Sequence, residues 1–132
     1  MKADEYIAGS EARVWDETFV IAKARKIDPR AFCNINDDGE ITLIIEQEKL
    51  DEDTVIKFDK DWKLITIQVQ LAFDVVGVVA KLSTRLAEAG ISIFIVTGYT
   101  RDHILVKKEN LDRAIEALEE FDIKIARSQD QG

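Results

Sequence analysis

LAFDVVGVVAKL, residues 71–82 of this 132-residue chain, marks the point where one structural period gives way to another. Before it, WKLITIQVQL (62–71) puts Ile65, Ile67, Val69 and Leu71 on one face and Thr66, Gln68 and Gln70 on the other, the alternation of a half-buried strand. After it, Val75, Val78, Val79, Leu82 and Leu86 recur at spacings of three and four, while Lys81, Arg85 and Glu88 point away. That spacing predicts an amphipathic helix, capped by Asp74 and closed by Gly90. The junction thus holds a carboxyl group, Asp74, and a bare backbone position, Gly77.

Further along, ISIFIVTGY (91–99) is apolar on both faces and HILVKK (103–108) is a second strand joined to it by a short connection. Asn110 then caps a helix with Leu111, Ala114, Ile115 and Leu118 on one stripe, and DIKIAR (122–127) alternates as a last strand. Strand, helix, strand, strand, helix, strand is the α+β, ferredoxin-like arrangement. Its two helices cover one face of the sheet, so Phe94 and Val96, on the other, need a second lobe or subunit over them.

The N-terminal part is less regular. ETFVIAKA (17–24) reads as a strand, and AFCNI, NDDG and EITLIIE as a hairpin turning at Asp38-Gly39. QEKLDED (47–53) reads as one or two helical turns and KFDKDW (57–62) as a solvated connection, with Trp62 near a lobe boundary. No long amphipathic helix separates the first strands. The expected organisation is therefore a degenerate, β-rich copy of the same architecture at 1–60, followed by the complete lobe at 61–128.

The formal charge is -8, and no run of Lys or Arg interrupts it. Nucleic acid and anionic membranes are poor partners for such a field, and no basic, aromatic-studded sheet face is expected. No stretch has the length of a membrane span or the form of a signal peptide, and the single Cys33 excludes an internal disulfide, so a cytoplasmic setting is expected. Cys33 reads as a structural thiol. His103, the sole histidine, has no second histidine or cysteine cluster beside it, so no metal and no cofactor is expected.

The motifs Asp74-x-x-Gly77, Gly90-Ile91 and Tyr99-x-x-Asp102-His103-Ile104-Leu105-Val106 resemble those of the ACT domain, a small regulatory βαββαβ module. They are most similar to the subfamily that includes the arginine-sensing CASTOR proteins and small bacterial two-lobe proteins. The likeness is strong over about 62–121. It departs at Gly98, where the family has a hydroxyl residue, and at Ser92, where many members have Asn. The resemblance implies side-by-side pairing as a homodimer, a free amino acid bound at a seam between lobes, a regulated partner protein and no turnover of substrate.

The residues themselves suit such a ligand. Backbone N–H groups at a helix entrance attract an α-carboxylate, and Gly77 lets a ligand approach the backbone. Asp102 suits an ammonium or guanidinium group. The candidate ligand-binding residues are Ala72, Phe73, Asp74, Val76, Gly77, Val78, Gly98, Tyr99 and Asp102, with no catalytic residue among them. Simpler readings stand beside these. Asp74 can serve only as a helix cap, Gly77 as a close-packing position, Asp102 as a turn stabiliser and Tyr99 as a core ring with a wet hydroxyl. Two other functions remain open. One is an assembly module whose pocket has decayed. The other is an acylphosphatase-like enzyme, for which Lys81 stands where the signature needs arginine.

Overall fold

The segment KFDKDW is strand rather than connection: β4 runs unbroken from Val55 to Gln68. Ile56 to Asp61 are exposed, whereas Trp62 to Ile67 are buried. Ile56 and Phe58 alternate with Lys57 and Asp59, but the apolar pair is exposed and the charged run Asp59-Lys60-Asp61 that follows reads as loop. A computed structural model of the chain describes residues 3–68 and 76–127. The elements are α1 (Ala3–Ile7), β1 (Glu11–Ala24), β2 (Cys33–Asp37), β3 (Glu40–Glu46), β4, α2 (Val78–Glu88), β5 (Ile93–Thr97), β6 (Arg101–Lys107), α3 (Leu111–Glu119) and β7 (Lys124–Arg127).

Two units form, Met1–Asp16 with Lys63–Gly132, and Glu17–Trp62. Both crossings lie inside strands, within β1 and within β4. The N-terminal stretch up to Asp16 therefore groups with the C-terminal part, whereas a sequential division at residue 60 was expected. Trp62 is the last residue of the inserted unit.

In the first unit the strand order is β7-β1-β4-β6-β5. From β4 to β7 the elements follow the ferredoxin-like order, with β1 standing between β4 and β7. β7 pairs in parallel with β1, from Glu11 opposite Lys124 to Val14 opposite Arg127. β5 pairs antiparallel with β6, from Ile93 opposite Val106 to Thr97 opposite Asp102. One face of this sheet carries Ala12, Val14, Ile65, Ile67, Ile104 and Val106 into a core with Val78, Leu82 and Leu86 of α2 and Leu111, Ala114, Ala117 and Leu118 of α3. Ile7 of α1 joins the same core.

The capping differs from expectation. α2 begins at Val78, and its N-cap is Gly77 in the left-handed conformation (φ 92°), with no side-chain cap. That backbone geometry costs a glycine little and any residue with a Cβ more, which is why the boundary falls there rather than at Asp74. Val75 and Asp74 lie outside the described residues. At the far end Gly90 N–H donates to Ala87 O at 2.9 Å and Ile91 N–H to Leu86 O at 3.0 Å, a Schellman closure. Asn110 holds the N-cap position of α3 without bonding a helix N–H. Its Oδ1 accepts from Arg113 Nη2 at 2.7 Å, and Arg113 Nη1 donates to Ala89 O at 2.9 Å, tying the two helix ends.

The second unit has order β2-β3-β1-β4. β2 and β3 form the expected hairpin, closed from Cys33 opposite Ile44 to Asp37 opposite Glu40. Asp38 and Gly39 both have positive φ (48° and 95°), as a type I′ turn requires. Val20, Ala22, Ala24, Leu43, Ile45 and Val55 make its core. The turns expected in 47–53 are two short 3-10 segments, Gln47–Lys49 and Glu52–Thr54. Among the described residues no helix is long and apolar enough to cross a membrane.

Leu86 is fully buried under the sheet, whereas Val79, on the same helix, is exposed. Leu86→Ala is expected to lower unfolding free energy by about 2–5 kcal/mol in urea titrations, and Val79→Ala by less than about 0.5 kcal/mol.

Candidate functional site

Of the candidate residues, Gly98, Tyr99 and Asp102 lie together at the β5–β6 turn, at one end of the first unit's sheet. Thr66, near the end of β4, meets His103, near the start of β6, so these two strand ends lie side by side. α2 runs back to Gly90, from which β5 returns, so the entrance of α2 and the end of β5 share that end too. The β5–β6 turn closes there with Gly98 N–H donating to Arg101 O at 2.8 Å.

Asp102 is the unusual residue of this end. It lies on the same face as Ile104 and Val106 and is only 4% exposed. Its Oδ1 is buried and has no hydrogen-bond partner among the described residues. The sequence allowed a solvated turn aspartate; the structure has a carboxyl oxygen withdrawn from water and unanswered. Such a group costs free energy and so calls for an explanation. Around it, Gly77 and Val78 open α2, while Val76 is 92% and Tyr99 81% exposed. Tyr99 is thus a turn-tip residue and not a core ring. A Cβ at Gly98 would lie 3.3 Å from Arg101 O and 3.7 Å from His103 Nε2, so the missing hydroxyl side chain leaves the turn uncrowded. Ala72, Phe73 and Asp74 lie outside the described residues.

The opposite face of the same sheet end was not foreseen. Arg13 and Trp15 of β1 lie there, with the guanidinium carbon 3.8 Å from the indole centroid. Trp15 Nε1–H donates to Thr66 Oγ1 at 2.9 Å, and Thr66 Oγ1 lies 2.9 Å from His103 Nδ1. The hydroxyl oxygen accepts from the indole and shares a second hydrogen bond with Nδ1, in which the ring tautomer sets the donor. Burial above all, helped by the Arg101 cation and opposed by Asp102, holds the His103 pKa below its ordinary value of 6.5.

A groove of about 580 Å³ opens beside this chain, lined by Arg13, Trp15, Thr66, Gln68, Arg101 and Lys124 among others. The expectation that the sheet lacks a basic, aromatic face is overturned. The cations come from three separate strands, so no basic run announces them. The signal that could have found β1 is its alternation, with Ala12 and Val14 inward and Arg13 and Trp15 outward; the reading began that strand at residue 17. Cys33 is half-buried, and burial raises its thiol pKa, so the reactive thiolate is disfavoured.

The sequence model of the ACT domain family matches residues 57–120. The human and bovine proteins named cytosolic arginine sensor for mTORC1 subunit 1 are 30% identical over 88 residues, 62% of this chain and 27% of theirs. The chain therefore matches about a quarter of the length of these curated relatives. A Vibrio cholerae structure, titled a possible transport protein, aligns with TM-score 0.75 and 26% identity over 90% of this chain and 94% of its own. An Agrobacterium tumefaciens structure aligns with TM-score 0.77 and 22% identity over 91% of this chain and 94% of its own. The ligand-free regulatory subunit of aspartate kinase from Thermus thermophilus shares the fold, with TM-score 0.65 and 13% identity over 86% of this chain and 97% of its own.

The His103 arrangement gives a signed pH dependence. The folded ring binds its proton less readily than the unfolded one, so its contribution to stability is present above pH 6.5 and declines as pH falls through that value towards the folded pKa. Urea midpoints from pH 7.5 to 5 should therefore fall, and His103→Gln should flatten that part of the profile.

Proposed function

From the premise that the chain belongs to the ACT domain family through residues 57–120, we propose that it is a non-catalytic sensor that binds a free amino acid and transmits occupancy through its assembly or to a partner protein. The observation that carries this reading is Asp102, whose Oδ1 is buried without a hydrogen-bond partner among the described residues, at the sheet end closed by the β5–β6 turn. An ammonium or guanidinium group would answer that oxygen with a charge-assisted hydrogen bond. The α-carboxylate of the same ligand is assigned to backbone N–H groups at the entrance of α2, in the stretch Ala72, Phe73, Asp74, Val76, Gly77 and Val78. Gly98 and Tyr99, on the β5–β6 turn, complete the set. A basic or polar amino acid fits this chemistry best, and a relative named as an arginine sensor supports the choice.

The regulatory reading extends to organisation and setting. Residues 61–128 are assigned as the ACT lobe, completed by the stretch up to Asp16, and the reduced copy is narrowed to Glu17–Trp62, which holds strands and 3-10 turns but no α-helix. β5 ends the strand order, and its Phe94 and Val96 are only half-buried, which supports a second copy of the chain covering that edge. A cytoplasmic setting follows from the same kinship.

A melting screen of the twenty amino acids at millimolar concentration tests the ligand. A ligand at about a hundred times its dissociation constant adds roughly 2.7 kcal/mol, a shift on the order of 10 °C at this size. Asp102→Ala should abolish the shift without lowering the ligand-free melting point, because it removes an unanswered buried oxygen. A screen in which no amino acid moves the wild-type midpoint would leave the assembly module with a decayed pocket as the better reading. For the dimer, sedimentation at micromolar concentration should give about twice the 15.0 kDa chain mass, and a 15.0 kDa species alone would refute it.

A further inference from the structure

The groove on the helix-free face has no part in the amino acid site. Asp102 and Arg101 are consecutive in β6, and consecutive strand residues point to opposite faces. The Asp102 carboxyl group therefore faces the helices, while Arg101 lines the groove with Arg13 and Lys124. One acid, Glu11, stands on the same wall against these three cations. The other polar groups here, the Thr66 hydroxyl and the Gln68 amide, are neutral, and the amide is able to donate. In a chain of formal charge -8 this is a local reversal of sign.

The groove is also organised. Arg13 is held over the Trp15 ring, and the ring is pinned through Nε1–H to Thr66, which bonds to His103. A guanidinium so placed loses little freedom when it meets an anion. Arg101 and Lys124 engage no carboxylate among the described residues. Their spacing limits the ligand. Neighbouring strands lie about 4.8 Å apart, and the order β7-β1-β4-β6 puts Lys124 one strand from Arg13 and Arg101 two strands from it on the other side. The cations thus stand in a row roughly 15 Å wide at the backbone, too wide for a single small anion to meet all three with extended side chains.

We propose that this groove is a second binding site, for an extended small-molecule polyanion whose charges lie on several oxygens, as in a polyphosphate chain or a tricarboxylate. Gln68 contacts the middle of the ligand, and the cations take its ends. Glu11 disfavours neutral and cationic compounds.

Isothermal titration of the wild-type protein with tripolyphosphate, and separately with citrate, at low ionic strength tests this. One or both should bind saturably at one site per chain, and added salt should weaken the binding because the cations at the rim are screened. Arg101→Gln and Lys124→Gln, both at exposed positions, should each weaken it by about tenfold, the loss expected for one charge-assisted hydrogen bond. Asp102→Asn should leave it unchanged, which separates this site from the amino acid site. Preference between the two probes identifies the ligand class. Absence of saturable binding at millimolar concentration, equal binding by the Arg101→Gln, Lys124→Gln double variant, or tighter binding of a short oligouridylate than of either probe would overturn the proposal.

Discussion

The strict two-residue period of β6 constrains the first unit more than any other feature. Asp102, Ile104 and Val106 must face the helices if Arg101, His103 and Leu105 face away. Ile104 and Val106 sit in the core under α2 and α3, so a slip of one would turn both out of that core and put Leu105 in their place. Asp102 is carried inward by the same rule, whatever its own solvation demands. The apolar residues of the strand outweigh the burial of one carboxyl group, and the result is an oxygen without a partner among the described residues.

The C-terminal helices were legible because each is wet on one flank. Leu82 and Leu86 repeat at helical spacing because only one flank of α2 is covered, whereas β4 from Trp62 to Ile67 is buried on both faces and was legible through residue type, Thr66 standing between Ile65 and Ile67. The Asp38-Gly39 turn was legible because few sequences supply two positive φ values. What escaped is what lacks contrast. Ile56 to Asp61 are uniformly exposed, so strand and loop look alike there. The first residues of β1 pair with β7, more than a hundred positions away, and no local pattern encodes that pairing. The helix boundary at Gly77 depends on a backbone angle that a sequence only permits and does not dictate.

The candidate site was legible in composition but not in environment. The motif nominated Asp102, and its burial came only with the fold. Tyr99 was nominated by the same motif and lies open at the turn tip. Arg13, Trp15 and Thr66 form one hydrogen-bonded and stacked cluster from two strands, and Arg101 of a third lines the same groove. Each is an unremarkable residue in sequence, and their meeting is a property of strand order alone.

That order also decides what the family match leaves out. The matched stretch, 57–120, contains α2, β5, β6 and α3, but neither β1 nor β7. Yet β1 lies between β4 and β7, and its Ala12 and Val14 close the same core as Ile65 and Ile67. Without β1, the backbone edge of β4 would lose its partner and the helices would cover an incomplete sheet. β7 would have nothing to pair with, since its register is to β1 alone among the described residues. The first unit is therefore physically a product of both chain ends, with Glu17–Trp62 inserted between them. The same β1 that completes the sheet brings Arg13 and Trp15 to its outer face. A reading confined to the matched stretch would find the Asp102 end and miss the cationic groove behind it.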